Sequence, residues 1–133
     1  ILRASRLKSL FLIGGDVRLS DGAVIGSDAI KEISKYKVDF AVIGASSLDA
    51  DGSILDFDQR EVFVTRAILE NARKTILVAD VSKFEFSAPF KISEAKDFDY
   101  IILNAPPPRT FEISLLKQGT TLIIAGEKNA KTK

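Results

Sequence analysis

Phe40-Ala41-Val42-Ile43-Gly44-Ala45-Ser46-Ser47-Leu48-Asp49-Ala50-Asp51-Gly52 is the stretch on which the reading of this chain turns. Its first four residues are apolar and β-branched or aromatic without alternation, the pattern of a short strand buried on both faces. From Gly44 onward the residues turn abruptly small and polar, as at the end of a strand that feeds a functional loop. Four further runs have the same apolar character: Leu10–Ile13, Thr75–Ala79, Tyr100–Leu103 and Thr121–Ala125. The five read as parallel strands.

Helical spacing fills the gaps between them. From Asp28 to Tyr36, residues Ala29, Ile30, Ile33 and Tyr36 recur at steps of three and four and share one face. From Asp58 to Arg73, Val62, Leu69 and Ala72 form one stripe with Phe63, Ala67 and Ile68 beside it. Asp58 with Glu61 three residues later resembles a capping box. Shorter helices are expected over Ser93–Asp97 and over Thr110–Gln118, the latter stopped by Gly119, with Pro106-Pro107-Pro108 as a rigid loop. The expected fold is therefore α/β, an open, mostly parallel sheet with helices on both faces and right-handed crossovers.

At 133 residues the chain is the size of one domain. Its 46% hydrophobic and 28% charged residues fit a folded globular protein. With 19 Lys and Arg against 18 Asp and Glu, it lacks the broad positive field that non-specific nucleic-acid binding needs. The absence of Cys removes thiolate nucleophiles, disulfides and cysteine-ligated metals, and the absence of His removes the ordinary Ser-His-Asp and Cys-His systems. Proton transfer would fall to Asp, Glu, Lys or Tyr. No metal site and no cofactor is expected. The absence of Met marks Ile1 as something other than a translation start, so the chain reads as a piece of a longer protein. No apolar run approaches a membrane span, Ile1–Arg6 does not resemble a signal peptide, and the default origin is cytoplasmic. Lys128, Lys131 and Lys133 read as a solvated tail.

In open parallel sheets ligands bind beyond the C-terminal strand ends, so the candidates are Gly14-Gly15-Asp16, Gly44–Gly52, Asp80–Lys83 and Asn104-Ala105-Pro106, several of which could converge on one crevice. Gly14-Gly15 suits close backbone approach to a phosphate or sugar, and equally suits a strand-ending turn. No Walker A ending and no G-x-G-x-x-G fingerprint comes after any strand. The loop Gly44–Gly52, with Ser46, Ser47, Asp49 and Asp51, could hydrogen-bond a polyol, or could be an Asp-Gly turn with solvated carboxylates. Glu61 suits a cap partner or a catalytic carboxylate. Lys83, a few residues past a buried strand and flanked by Asp80 and Ser82, stands where a fixed cation would meet an anionic ligand.

Taken in order, Leu12-Ile13-Gly14-Gly15-Asp16-Val17-Arg18, Gly26, Asp39–Ser46, Asp51-Gly52, Glu61 and Ala79-Asp80-Val81-Ser82-Lys83-Phe84 resemble the C-terminal sensor domain of DeoR-family transcriptional repressors. The resemblance runs from about Leu10 to Pro108. It implies a fold similar to ribose-5-phosphate isomerase and glucosamine-phosphate deaminase, and a phosphorylated sugar or related metabolite as effector. It also implies an upstream winged helix-turn-helix, absent here, through which operator DNA would be bound. A first strand with its Asp-Gly-Thr-Thr-like phosphate loop is likewise implied upstream of Leu10–Gly15. On the resemblance, Gly14 and Gly15 match the family's Gly-Gly, Asp51-Gly52 its acidic-Gly turn, and Glu61 the Glu opening the next helix. Lys83 matches the lysine of Asp-x-Ser-Lys-Phe, which in similar isomerases faces the substrate. Ser47 stands where the family often has a glycine, and Gly44 and Ser47 occupy the positions of the isomerases' paired carboxylates.

Three functions are open as expectations. The first is a non-catalytic sensor in which Lys83 meets the phosphate or a carbonyl-side oxygen. Ser46, Ser47 and Asp51 would meet hydroxyls, and Gly44, Asp49, Gly52 and Glu61 would complete the site. The second is a sugar-phosphate isomerase or deaminase with Glu61 or Asp49 as base. The third is a homo-oligomerisation domain with a vestigial crevice.

Overall fold

The computed structural model describes residues 8–115 and 119–126. After the first residues, a two-stranded antiparallel hairpin, β1 (Asp16–Val17) and β2 (Val24–Ile25), leads into α1 (Ser27–Ile33). Then come β3 (Val38–Ile43), β4 (Ser47–Leu48), β5 (Ser53–Asp56) and α2 (Gln59–Glu70). Next in the chain are β6 (Ala72–Ala79), a 3-10 turn (Val81–Glu85), β7 (Phe90–Glu94) and a second 3-10 turn (Ala95–Asp97). The described chain closes with β8 (Tyr100–Leu103), α3 (Arg109–Leu115) and β9 (Thr121–Ile124).

Four of the five apolar runs form one parallel sheet in the order β3-β6-β8-β9. The α/β class and the mostly parallel sheet are thus as expected, whereas among the described residues helices cover one face of the sheet rather than both. Leu10–Ile13 differs. It takes no strand partner, and Leu10, Phe11 and Leu12 are 57%, 74% and 85% exposed. A strand exists only through pairing, because its backbone groups have no partners within the segment. β3 is accordingly an edge strand, open on the side away from β6.

Strand register sorts the side chains onto two faces, since directly paired residues project to the same side. Ile43, Leu77 and Ile101 align on one face and Leu103 lies further along it; all are 7% exposed or less. This face forms the core with Val62 of α2, Phe98, and Phe111 and Leu115 of α3. Phe84 meets Phe111 edge to face at 4.9 Å between ring centres.

A second, antiparallel sheet, β4-β5-β7, adds Leu48, Ile54 and Ile92 to the same core. This sheet is not among the sequence expectations, which have loop or helix here. β4 has two residues and β5 four, too short for alternation to register. The expected helix over Ser93–Asp97 is instead the end of β7 and one 3-10 turn, closed by a reciprocal Glu94–Asp97 cap.

α2 starts where expected, with Asp58 as N-cap accepting from the Arg60 amide at 2.9 Å. Glu61 does not complete a capping box: the Asp58 amide donates to Asp56 Oδ1 at 2.9 Å, and the Glu61 carboxylate goes to Arg18. The helix ends at Glu70 rather than Arg73, because β6 already pairs with β3 from Ala72. Arg66 fastens α2 to the second sheet, donating to the backbone carbonyls of Ile92 at 3.0 Å and Lys91 at 2.6 Å. Residues 116–118 of the expected Thr110–Gln118 helix, the Ile1–Arg6 segment and the lysine tail lie outside the described residues.

Candidate functional site

All four strands of the main sheet end on one side, where Gly44, Asp80 and Asn104 open the loops that leave β3, β6 and β8. After β6, Asp80 caps the 3-10 turn by accepting from the Ser82 amide at 2.8 Å, which is the main reason its carboxyl sits below the ordinary range. Asn104, after β8, grips the same loop from the side. Its Nδ2 donates to Asp80 Oδ2 at 2.6 Å and its Oδ1 accepts from the Val81 amide at 2.9 Å. The two loops are clasped together, and the turn presents Lys83.

Lys83 is half-buried, its ammonium 5.7 Å from the centre of the Phe86 ring. Among the described residues it makes no salt bridge. Ser47 is fully buried and donates its hydroxyl to the Phe86 carbonyl, tying β4 to the segment on which Lys83 rests.

Ser46 opens a second polar network. Its hydroxyl donates to Asp56 Oδ2 at 2.8 Å, and Asp56, only 5% exposed, accepts the Asp58 amide through its other oxygen. Asp58 in turn receives Arg18 Nη1 at 2.7 Å and Arg60 Nη2 at 2.7 Å. Arg18 also donates to Glu61 at 2.6 Å and to Asp21. One guanidinium thus holds three carboxylates, and the short hairpin β1–β2 delivers it to the start of α2. The charge drives the carboxyls down, Asp21 to about 2 and Asp58 further, chiefly through Arg18 for the first and Arg60 for the second. The Arg18 guanidinium is pushed up from its already high value, first by Asp21.

The expected site residues therefore fall into three groups. Gly44, Ser46 and Lys83 lie at the C-terminal strand ends, linked through Ser47 and Phe86. Ser47 itself is sealed, its hydroxyl spent on Phe86. Glu61 belongs to the Arg18 cluster, which borders this region through Ser46, Asp56 and Asp58.

Asp49, Asp51 and Gly52 lie elsewhere, because β4 runs away from Gly44 and the chain reverses at these residues. Gly52 donates to the Asp49 carbonyl at 2.9 Å, and its own carbonyl accepts from Ala95 at 2.7 Å. Ala95 precedes β8, so the hairpin tip sits at the N-terminal end of the sheet. Asp51 accepts from the Ser53 amide at 2.8 Å, the first cause of its lowered carboxyl. Gly52 has φ +99°, and a Cβ there would lie 3.0 Å from Ser114 Oγ, so its glycine is required by the turn.

Gly14 is exposed and open on the side a Cβ would take. A Cβ on Gly15 would come within 3.1 Å of Ala29, Ile25 and Val24, so Gly15 lets the hairpin pack on α1.

Arg18, Asp56 and Asp58 were not among the expected site residues, whereas Asn104 stands in one of the segments expected to converge there. Arg18 reaches its acceptors across 40 and 43 positions, a pairing no local spacing reveals. The described residues contain no group of His, Cys, Asp and Glu arranged to hold a metal. No helix among them is long and apolar enough to cross a membrane.

A family model described as the DeoR C terminal sensor domain matches residues 1–105. The chain is 38% identical over 128 residues to the glycerol-3-phosphate regulon repressor of Haemophilus influenzae, covering 96% of this chain and 49% of that one. It is 41% identical over 99 residues to the repressor of the same name from Escherichia coli, covering 74% and 39%. To the HTH-type transcriptional repressor GlcR of Bacillus subtilis it is 25% identical over 122 residues, covering 92% and 47%. The chain spans half or less of the length of these relatives.

Proposed function

The chain belongs to the DeoR sensor-domain family, and from that premise we propose that it is the effector-reading part of a cytoplasmic, homo-oligomeric transcriptional repressor. The effector is a phosphorylated sugar or a related small phosphate. Glycerol 3-phosphate is the first to test, because two relatives carry it in the name of the regulon they repress. Operator binding belongs to a DNA-binding domain outside these 133 residues. The effector releases or recruits the operator only by binding one state of the repressor better than the other.

The observation that carries the reading is Lys83, a cation without a salt-bridge partner in the described structure, held on a clasped loop at the ligand end of a parallel sheet. Gly44 and the Ser46 hydroxyl stand on the neighbouring loop. A regulator's reading fits better than an enzyme's. Of the two carboxylates offered as a catalytic base, Glu61 is gripped by Arg18 and Asp49 stands on the hairpin at the opposite end.

Calorimetry with glycerol 3-phosphate and a panel of sugar phosphates, on this chain and on the full-length repressor, tests the proposal. A ligand at about 100 times its Kd should stabilise the protein by about 2.7 kcal/mol. Lys83→Ala should weaken binding roughly 10- to 100-fold, as expected for loss of a charge-assisted hydrogen bond. Unchanged affinity in that variant overturns the assignment of Lys83. Silence across the panel in the full-length protein overturns the phosphate reading.

A further inference from the structure

Ser46 is held at two points by one strand. Its amide donates to the Leu55 carbonyl at 3.1 Å and its hydroxyl to Asp56 Oδ2 at 2.8 Å, so successive residues of β5 fix both its backbone and its side chain. Asp56 is 5% exposed and makes no salt bridge among the described residues. Its other oxygen accepts from the Asp58 amide at 2.9 Å, which sets the carboxylate with Oδ2 turned to Ser46. Ser46 itself is half-buried, on the loop after β3, at the end of the sheet where the loop of the adjacent strand β6 carries Lys83.

A serine hydroxyl has one hydrogen and two lone pairs, and a carboxylate accepts without donating. Asp56 therefore takes the hydrogen, and lone pairs are what Ser46 has left for any other neighbour. Ser47 next to it donates to the Phe86 carbonyl, so the hydroxyl hydrogens of both serines after β3 are committed inside the protein.

We propose that Asp56 determines the specificity of this site: by holding the Ser46 hydrogen it makes Ser46 an acceptor, which selects an effector carrying an alcohol, rather than a carbonyl, beside its phosphate-bearing carbon. The inference rests on the reading of Lys83 as the partner of the phosphate. The two anchors are then opposite in kind, since the ammonium of Lys83 offers only hydrogens and the oxygen of Ser46 only lone pairs. A ligand hydroxyl gives its hydrogen to Ser46. A ketone oxygen in the same place sets lone pair against lone pair, and a methylene there leaves the Ser46 oxygen without a donor. A site built to pair with a substrate hydroxyl rejects the analogue that lacks it, because the protein's own polar atom is then left unpaired. Asp56 is a positioning residue in this arrangement, acting through Ser46.

Three ligands of one shape test this by calorimetry on the full-length repressor. Glycerol 3-phosphate has a hydroxyl on its central carbon, dihydroxyacetone phosphate a carbonyl, and propane-1,3-diol monophosphate neither. The parent should bind the hydroxyl compound roughly tenfold or more tightly than either of the others. Asp56→Asn keeps the size of the side chain and an oxygen for the Asp58 amide, but turns an N–H toward Ser46 and so frees the hydroxyl hydrogen. In that variant the preference over the carbonyl compound should shrink to within about threefold, or reverse. Ser46→Ala should bring all three ligands within about threefold of one another, and Ser46→Thr, which keeps the hydroxyl, should restore the parent's order. A merely structural defect lowers the three affinities together and leaves their ratios, which are the readout. Equal affinities in the parent, or a parental ratio that persists in Asp56→Asn, overturn the role of Asp56. Equal affinities that fall together in Lys83→Ala do so while leaving the phosphate reading in place. Silence of all three overturns the inference, and the wider sugar-phosphate panel then decides whether the phosphate reading falls with it.

Discussion

The two faces of the parallel sheet are written in the same residues and live in different solvents. Leu77 and Val78 are neighbours in one strand; the first is fully buried and the second 43% exposed. Ile43 beside Val42 repeats the contrast, at 7% and 63%. The near-continuous apolar runs of β3, β6, β8 and β9 have the pattern of strands buried on both faces. Which face is covered depends on segments far away: α2, α3 and the β4-β5-β7 sheet all pack on one side. A face's worth to stability is therefore set by its neighbours and only then by its own hydrophobicity.

The sharpest way to break the contrast is on the covered side. Phe111→Ala should destabilise the chain by about 3–5 kcal/mol and Leu77→Ala by about 2–5 kcal/mol, read from the urea midpoint at constant slope. Gly52→Ala, which forces a side chain into a positive-φ turn against Ser114, should cost about 1–3 kcal/mol.

An acid titration sharpens the comparison at the N-terminal end of the sheet. Asp99 accepts from Lys74 Nζ, from the Thr75 amide at 2.9 Å and from Thr75 Oγ1, and its carboxyl is lowered, first by Lys74. A carboxyl depressed in the folded state favours folding above the ordinary carboxylate range, and that contribution is lost as pH falls through the folded value. Stability of the parent should therefore fall more steeply than that of Asp99→Asn as the solution is taken from about pH 5 to about pH 2. Val78→Ala, on the open face, should move the stability of this chain by no more than about 0.5 kcal/mol. The smallest effect expected is on ligand affinity. Asp51→Asn, at the far end from Lys83, should leave phosphate binding within about twofold, since a group that touches no ligand contributes little to its affinity.

Much of the fold was legible because it is written locally. The four paired strands announce themselves by composition, and α1 and α2 by spacing, with Asp58 capping as its position suggests. What local pattern could not carry is pairing. Leu10–Ile13 has the residues of a strand and no partner. β4 and β5 have partners but too few residues to show alternation. The site suffered in the same way. Gly44, Ser46 and Lys83 stand out because each comes just after a strand, whereas Asp49 and Asp51 fall into the same expected crevice only because the reversal between β4 and β5 leaves no mark in the residues before it. Arg18 is invisible to such a reading because its meaning lies in Asp58 and Glu61, which it meets only once the hairpin has folded against α2.

The three prolines after β8 have a consequence for what this end of the sheet can recognise. Pro106, Pro107 and Pro108 carry no amide hydrogen, and the Pro108 carbonyl is already committed to the amides of Phe111 and Glu112. This stretch of the loop after β8 therefore offers carbonyl oxygens and carbon, and no backbone donor. Were a phosphate held at Lys83, as proposed above, these three residues could meet only its hydroxyl hydrogens and could give it no backbone hydrogen bond.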